Sequence, residues 1–113
     1  MDNTLAVNAL AALAQATRLS IFRLLVEAGH SGLAAGEIGE QLGIPAATLS
    51  FHLRTLNQAG LLASRREATY IFYAANFEAM TELVGYLTEN CCRGETDACP
   101  DFLTKTTLCE PPK

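Results

Sequence analysis

The chain has 113 residues, half of them hydrophobic and 18% charged, a balance that fits one small globular domain and excludes an intrinsically disordered chain. Its formal net charge of −4 argues, taken alone, against nucleic acid as a partner. All four cysteines follow Glu89, so they do not suit a disulfide scaffold that staples the apolar part of the chain.

The first residues predict neither a signal peptide nor a membrane span. The start is acidic, and the apolar run Leu5–Ala14 is ten residues long and interrupted by Asn8. We therefore expect a cytoplasmic protein without a membrane partner. In a reducing cytoplasm, clustered thiols favour metal binding or redox sensing over a structural role.

Residues 1–28 predict two amphipathic helices. Their apolar stripes repeat at helical spacing and are Leu5, Ala9, Leu10 and Leu13 in the first helix, and Ile21, Leu24, Leu25 and Ala28 in the second. Thr17 is the expected N-cap of the second helix, and Gly29 is its expected stop.

Two more predicted helices follow. The short one contains Ile38 and Leu42 and ends at Gly43, and the longer one begins after Pro45 and ends before Gly60. A short helix, a turn with glycine and a longer helix form a helix-turn-helix, in which the first helix braces the second against a DNA major groove.

The longer helix has one apolar stripe and one polar face. Leu49, Leu53 and Leu56 share the stripe. The other face is small, polar and almost free of acid, and it consists of Ala47, Thr48, Ser50, Phe51, Arg54, Thr55 and Gln58. Hydroxyl groups can bond phosphates or base edges, and an aromatic ring can touch a thymine methyl. An ordinary solvated helix face would show the same residue types.

Beyond Gly60 the pattern predicts a β-hairpin and a last helix. Thr69–Tyr73 is rich in β-branched and aromatic residues and can pair with Leu62–Arg66 across Glu67 and Ala68. Asn76 can cap a helix with the stripe Met80, Leu83, Val84 and Leu87, which Cys91 continues. We expect a mainly α winged helix-turn-helix of about five helices and a two-stranded wing over residues 1–93, followed by a flexible tail over 94–113.

The predicted recognition helix and wing are basic although the whole chain is acidic. Residues 44–73 contain Arg54, Arg65 and Arg66 against Glu67, a net charge of +2. Residues 1–43 and 74–113 have net charges of −2 and −4. Because the acidity lies at the two ends, the total charge does not exclude DNA.

Residues 11–87 resemble the ArsR family of small bacterial winged-helix repressors. The resemblance rests on Leu13–Phe22, Glu37–Gly43, Thr48–Leu53 and Ala59–Leu62, the last followed by Arg65-Arg66-Glu67. It implies a homodimer and a two-fold symmetric double-stranded operator that is released when an effector binds. The expected DNA-binding residues are Ala47, Thr48, Ser50, Phe51, His52, Arg54, Arg65 and Arg66. The expected dimer interface comes from the first and last helices and comprises Leu5, Leu10, Leu13, Met80, Leu83, Val84 and Leu87.

Three positions depart from the family pattern. Pro45 stands where a serine cap is common, so the recognition helix starts with a fixed φ. Phe51 stands where a histidine is common, and Ala68-Thr69 stands where the wing usually has Gly-Arg. None of these changes removes the expected fold.

The cysteines are the expected effector site. Ala34 and Gly36 occupy the positions of a Cys-x-Cys site of the family, and the last helix has no histidine for a zinc-type site. Cys91, Cys92 and Cys99 resemble the C-terminal thiol site of arsenite-responsive members, and a few thiolates suit a soft ion such as As(III) or Sb(III). Cys109 is a further thiol, and no organic cofactor is expected.

Other functions stay open at this point. The four thiolates could close around one structural zinc, a thiol pair could act as a redox or persulfide switch, the chain could sense Zn or Cd, or the cysteines could be inert. A winged helix that binds proteins would show an apolar or acidic recognition face. The chain has no phosphate-binding Gly-Lys loop, zinc-protease motif or nucleophile elbow, so we do not expect an enzyme.

Overall fold

The computed structural model describes residues 1–89, and residues 90–113, with all four cysteines, lie outside the described part. The elements in chain order are α1 (Asn3–Leu13), α2 (Ala16–Ala28), β1 (Leu33–Ala34), α3 (Ala35–Leu42), α4 (Ala46–Gln58), β2 (Leu62–Glu67), β3 (Tyr70–Ala75) and α5 (Phe77–Leu87). A 3-10 turn, Gly29–Ser31, joins α2 to β1. The described residues therefore form the predicted winged helix-turn-helix.

Side-chain caps define where several helices begin. Asp2 Oδ1 accepts the Leu5 N–H at 2.8 Å at the start of α1, and Asn76 Oδ1 accepts the Ala79 N–H at 3.1 Å at the start of α5, as predicted for Asn76. The predicted cap Thr17 is wrong. Gln15 Oε1 accepts the Arg18 N–H at 2.8 Å instead, so Thr17 lies inside α2. Gly29 ends α2 as predicted.

The sheet has three antiparallel strands in the order β1-β3-β2, one strand more than predicted. In β1, Leu33 pairs with Tyr73 and Ala34 pairs with Phe72. A two-residue strand is too short to show an alternating pattern, which is why the sequence did not predict it. The hairpin turn is Ala68-Thr69, one residue later than predicted, because Glu67 pairs with Tyr70.

The core centres on α2, α3, α4 and the segment before β2. Its fully buried large side chains are Ile21, Leu25, Ile38, Leu56 and Leu61. Helix α1 packs on this core through small residues, namely Ala6, Ala9 and Ala12. Leu5 and Leu10, predicted in the same stripe as Ala9, are 54% and 42% exposed. Helix α1 thus turns three of its alanines inward, whereas Leu5 and Leu10 face outward.

The longest described helices, α2 and α4, have 13 residues each. Among the described helices none alone is long and apolar enough to span a membrane. Helix α1 and the segment Ala16–Ser31 would pass as a pair by length and composition, but they are bent by 100°.

Candidate nucleic-acid interface

Helix α4 separates its apolar and polar residues onto two faces. Leu49, Leu53 and Leu56 are buried, which confirms the predicted inward stripe. The opposite face is exposed and consists of Ala47, Thr48, Ser50, Phe51, Arg54 and Gln58. Thr55 is half-buried, and its hydroxyl donates to the Phe51 carbonyl at 3.1 Å. The exposed face has the predicted composition, and its contact with DNA stays a prediction.

Helix α3 holds α4 at close range. A Cβ at Gly39 would lie 3.1 Å from the Ile44 carbonyl oxygen and 3.3 Å from Leu49 Cδ2, so glycine permits this tight packing. Pro45 precedes α4 in an extended conformation and provides no side-chain cap. The first backbone N–H groups of α4 therefore have no capping side chain, and they lie beside Thr48. In a recognition helix, this N-terminal end is the one that enters the major groove.

His52 does not belong to the exposed face, and its predicted contact with DNA is wrong. Its side chain is 8% exposed, and Nδ1 lies 3.4 Å from Arg18 Nη1. Arg18 Nε in turn donates to the Ala12 carbonyl at 2.7 Å. His52 follows Leu49 by three positions and precedes Leu56 by four, so helical geometry places it at the edge of the inward stripe. It joins α4 to the α1–α2 junction.

The side chain of Arg65 lies across the sheet. Its Nε donates to Glu67 Oε1 at 3.0 Å, and its Nη1 donates to the Ser31 carbonyl at 2.8 Å. Its guanidinium carbon lies 4.8 Å from the centre of the Phe72 ring. Because β3 lies between β2 and β1, the side chain extends from β2 over β3 to the residues before β1. We call these contacts of Arg65 with Glu67, Phe72 and Ser31 the Arg65 bridge.

Arg66 lies on the other side of the wing from Arg65. Successive side chains of a strand point to opposite faces of the sheet. Arg66 is exposed and pairs in register with Ile71, which is 39% exposed. Within residues 1–89 the one ion pair is Arg65–Glu67, so Arg66 and Arg54 have no acidic partner there.

The predicted dimer residues are divided between the protein surface and the protomer core. Leu5, Leu10 and Leu87 are 54%, 42% and 59% exposed, whereas Leu13, Met80 and Val84 are half-buried. The prediction for Leu83 is wrong, because this side chain is 6% exposed and belongs to the core of its own protomer. Val7 is a further exposed apolar residue of α1, at 53%.

Exposed apolar side chains thus lie on both α1 and α5. The Tyr86 hydroxyl donates to Asn3 Oδ1 at 3.1 Å, which joins the end of α5 to the start of α1. The exposed Leu5 and Leu87 therefore belong to neighbouring helix ends.

The predicted effector ligands Cys91, Cys92 and Cys99, and the further thiol Cys109, lie outside the described residues. Helix α5 ends at Leu87, before the first of them. Between residues 1 and 89, no group of three or more His, Cys, Asp or Glu side chains is arranged to hold a metal ion.

Sequence comparisons match this architecture to known regulators. Residues 13–65 match a family model described as a helix-turn-helix domain. An uncharacterized HTH-type transcriptional regulator, YceK of Bacillus subtilis, is 33% identical over 76% of this chain and 86% of its own length. The biofilm growth-associated repressor of Xylella fastidiosa is 34% identical over 80% of this chain and 77% of its own length.

Solved structures show the same fold. An ArsR-like transcriptional regulator from Rhodococcus superposes with a TM-score of 0.70 at 22% identity, over 80% of this chain and 82% of that one. The homodimeric winged helix-turn-helix domain Mb0332 of Mycobacterium bovis, a possible ArsR-family regulator, gives 0.63 at 25% identity over 78% and 82%. Reduced HlyU of Vibrio cholerae gives 0.60 at 34% identity over 74% and 88%.

Proposed function

The chain belongs to the ArsR family of winged helix-turn-helix transcriptional regulators, and from this premise we propose that it is a metalloid-responsive repressor. It binds double-stranded operator DNA as a homodimer in the cytoplasm. As(III) or Sb(III), held by Cys91, Cys92 and Cys99, releases it from the operator. The exposed face of α4 supports DNA binding. The exposed leucines of α1 and α5 support the dimer, and the cysteines support the effector.

The observation that supports DNA binding is the exposed, acid-free face of α4 in a segment of net charge +2. Thr48 and Ser50 have hydroxyl groups for phosphates or base edges, and Arg54 supplies a cation for phosphate. Phe51 is 57% exposed and offers an apolar contact to the methyl group of thymine. One α4 from each protomer enters the major groove, with half-sites about 34 Å apart.

The exposed leucines of α1 and α5 support the homodimer. Leu5, Leu10 and Leu87 are large exposed apolar side chains, of the kind that a partner subunit covers. The Mycobacterium bovis domain is itself homodimeric, which is consistent with this assembly. A two-fold symmetric dimer presents two α4 helices to a two-fold symmetric operator.

The thiols support the metalloid. Trivalent arsenic binds three sulfurs in a pyramid, whereas a structural zinc site uses four ligands in a closed tetrahedron. Cys91, Cys92 and Cys99 provide three thiolates and follow α5, a helix of the proposed dimer surface. They hold the ion as thiolates, and Cys109 is not required.

Three side-chain contacts connect the end of α5 to the recognition helix. Tyr86 bonds Asn3 and so joins α5 to α1. Arg18 bonds the Ala12 carbonyl and contacts His52, and so joins α1 to α4. We propose that effector and operator are coupled through these helices. By linkage each weakens the binding of the other by the same factor, and a coupling of roughly 1–3 kcal/mol is ordinary.

DNA binding is tested by selecting duplexes from a random library with the full-length, reduced protein. We expect two half-sites in two-fold symmetry, about one helical turn apart. Affinity for the selected duplex should fall steeply with salt, because phosphate contacts release counterions. Failure to enrich a sequence, together with a salt slope near zero, would contradict DNA binding.

The effector is tested by titrating the complex with As(III), Sb(III), Cd(II), Zn(II) and a thiol oxidant in parallel. We expect release by As(III) or Sb(III), and we expect C91S, C92S or C99S to keep DNA affinity and lose the release. C109S is the matched control and should respond like the native chain. Release that persists in the C91S and C92S variants would contradict the proposed thiol site.

A thiol-redox or persulfide-sensing repressor is the second candidate. The HlyU structure that this chain resembles is that of the reduced protein, and this chain has four cysteines outside the described residues. In the same titration this function predicts release by the oxidant, reversal by a reductant, and no response to As(III) or Sb(III). Release by Zn(II) or Cd(II) alone would instead indicate a zinc-type sensor.

A further inference from the structure

The wing has two adjacent arginines in different surroundings, and we infer that they have different roles in DNA binding. Arg66 contacts the phosphate backbone, whereas Arg65 is a positioning residue that fixes the wing on the protein. This inference rests on the proposed DNA-binding function. It corrects the expectation that both side chains bind phosphate.

The guanidinium of Arg65 is committed to contacts within the protein, although the side chain is 44% exposed. Two of its N–H groups donate to Glu67 and to the Ser31 carbonyl, and its central carbon lies over the Phe72 ring. Ser31 ends the 3-10 turn before β1 and Phe72 lies on β3, so this side chain of β2 connects the hairpin to the turn that follows α2. A planar, forked cation can make these contacts together, whereas a lysine ammonium has no planar fork to do so. The bridge therefore holds the wing at a defined angle to the helices.

Charge pairing also separates the two arginines. The Arg65–Glu67 pair is neutral as a unit, and counterions leave DNA in proportion to the phosphates that free cations neutralise. Arg65 thus adds little to counterion release while it is paired. Arg66 has no acidic partner within residues 1–89 and lies on the opposite face of the strand. It is the wing cation that is available for a phosphate.

The two roles predict different salt dependences. If Arg54, Arg65 and Arg66 all bound phosphate in both protomers, six contacts would give a slope of log K against log salt of about −5. With Arg54 and Arg66 alone, four contacts give about −3.6. The slope of the native chain on the selected duplex distinguishes these values.

The decisive experiment compares variants of the full-length protein on that duplex across a salt series. Arg66→Ala should reduce the magnitude of the slope by about 1.8 and weaken binding roughly 10- to 100-fold at 0.1 M salt. The double variant Arg65→Ala with Glu67→Ala keeps the net charge and removes the bridge. It should weaken binding roughly 3- to 10-fold and leave the slope unchanged. Arg23→Ala, an exposed arginine of α2 outside the candidate interface, is the control for losing one cation.

Two further measurements show whether Arg65 positions the wing or contributes only its positive charge. Arg65→Lys keeps the cation, so it should bind like the double variant if Arg65 positions the wing and like the native chain if only its charge matters. Without DNA, hydrogen exchange of the β3 amides should accelerate in the double variant and stay unchanged in Arg66→Ala.

The outcomes also distinguish failure of this inference from failure of the proposed function. A native slope near zero would contradict DNA binding itself. A steep native slope that falls equally in the double variant and in Arg66→Ala would overturn the division of roles and leave DNA binding intact. A slope reduced in Arg66→Ala alone, with faster β3 exchange in the double variant, would establish it.

Discussion

Helix α4 and the wing both belong to the candidate DNA surface, yet their side chains are arranged differently. The polar residues of α4 are exposed on one face, and those with hydroxyl or guanidinium groups that point outward are Thr48, Ser50 and Arg54. In the wing both arginines are exposed, but Arg65 contacts Glu67 and Ser31, whereas Arg66 has no acidic partner within residues 1–89. A basic residue in a DNA-binding segment therefore does not by itself indicate a DNA contact.

The difference follows from the two backbone geometries. A helix of 3.6 residues per turn gathers one face from residues three and four apart, so α4 presents several polar side chains together. A strand alternates its side chains, so adjacent arginines must separate to two faces. One of them, Arg65, then meets Glu67 and Phe72 on its own face of the sheet.

The largest expected effect comes from separating the protomers, because a dimer presents two α4 helices and two wings to the operator. Leu10→Asp with Leu87→Asp places charges on the exposed apolar surface of α1 and α5. We expect a monomer by analytical ultracentrifugation and an operator affinity that falls by a factor of about 100 or more, since one half-site is lost. Ile71→Asp adds one negative charge at an exposed apolar residue of the wing and should stay dimeric. A dimeric double variant would contradict the α1–α5 interface.

Charge reversal on α4 tests whether the helix contributes more than the wing. Arg54→Glu replaces a favourable phosphate contact by repulsion in both protomers, so operator affinity should fall roughly 100-fold at 0.1 M salt, more than for the matched reversal Arg66→Glu. Because Arg54 is exposed, the free energy of unfolding should change by less than about 0.5 kcal/mol. Fluorescence anisotropy and urea unfolding measure the two quantities, with Arg23→Glu as the control. Equal losses at both positions would contradict a leading role of α4.

The attachment of the wing can be broken at Gly32, the residue after Ser31. Its φ is +69°, and a Cβ there would overlap the carbonyl oxygen of Tyr73. Gly32→Ala should lower the free energy of unfolding by about 2–4 kcal/mol in urea denaturation, because both strain and a clash arise. Gly36→Ala, where a Cβ would meet nothing within 4 Å, is the matched control and should be neutral or slightly stabilising.

The smallest expected effect lies at the wing tip. Ala68 has a φ of +55°, a left-handed conformation that glycine adopts without steric cost. Ala68→Gly should raise the free energy of unfolding by up to about 1 kcal/mol, measured as a higher midpoint in thermal unfolding. Ala63→Gly, in the exposed part of β2, should lower it by roughly 0.5–1 kcal/mol. An unchanged or lower stability of Ala68→Gly would show that the turn tolerates alanine.

Most of the helical part was predictable because its signals are local. The stripe Leu49, Leu53 and Leu56, the cap at Asn76 and the stop at Gly29 each depend on residues within a few positions. The strand β1 was not predictable, since two residues show no period. The sequence also did not predict that Leu5 is exposed and Leu83 is buried, because both belong to apolar stripes with the same helical spacing.

The sequence by itself determined the order of the helices and the hairpin, the two faces of α4 and the basic segment between two acidic ends. Periodicity and charge are properties of neighbouring residues, so they can be obtained from the chain alone. Only the tertiary structure decided that His52 meets Arg18 and that Arg65 reaches Ser31, each across 34 positions of sequence. Such contacts depend on which elements pack together, and no local pattern encodes that packing.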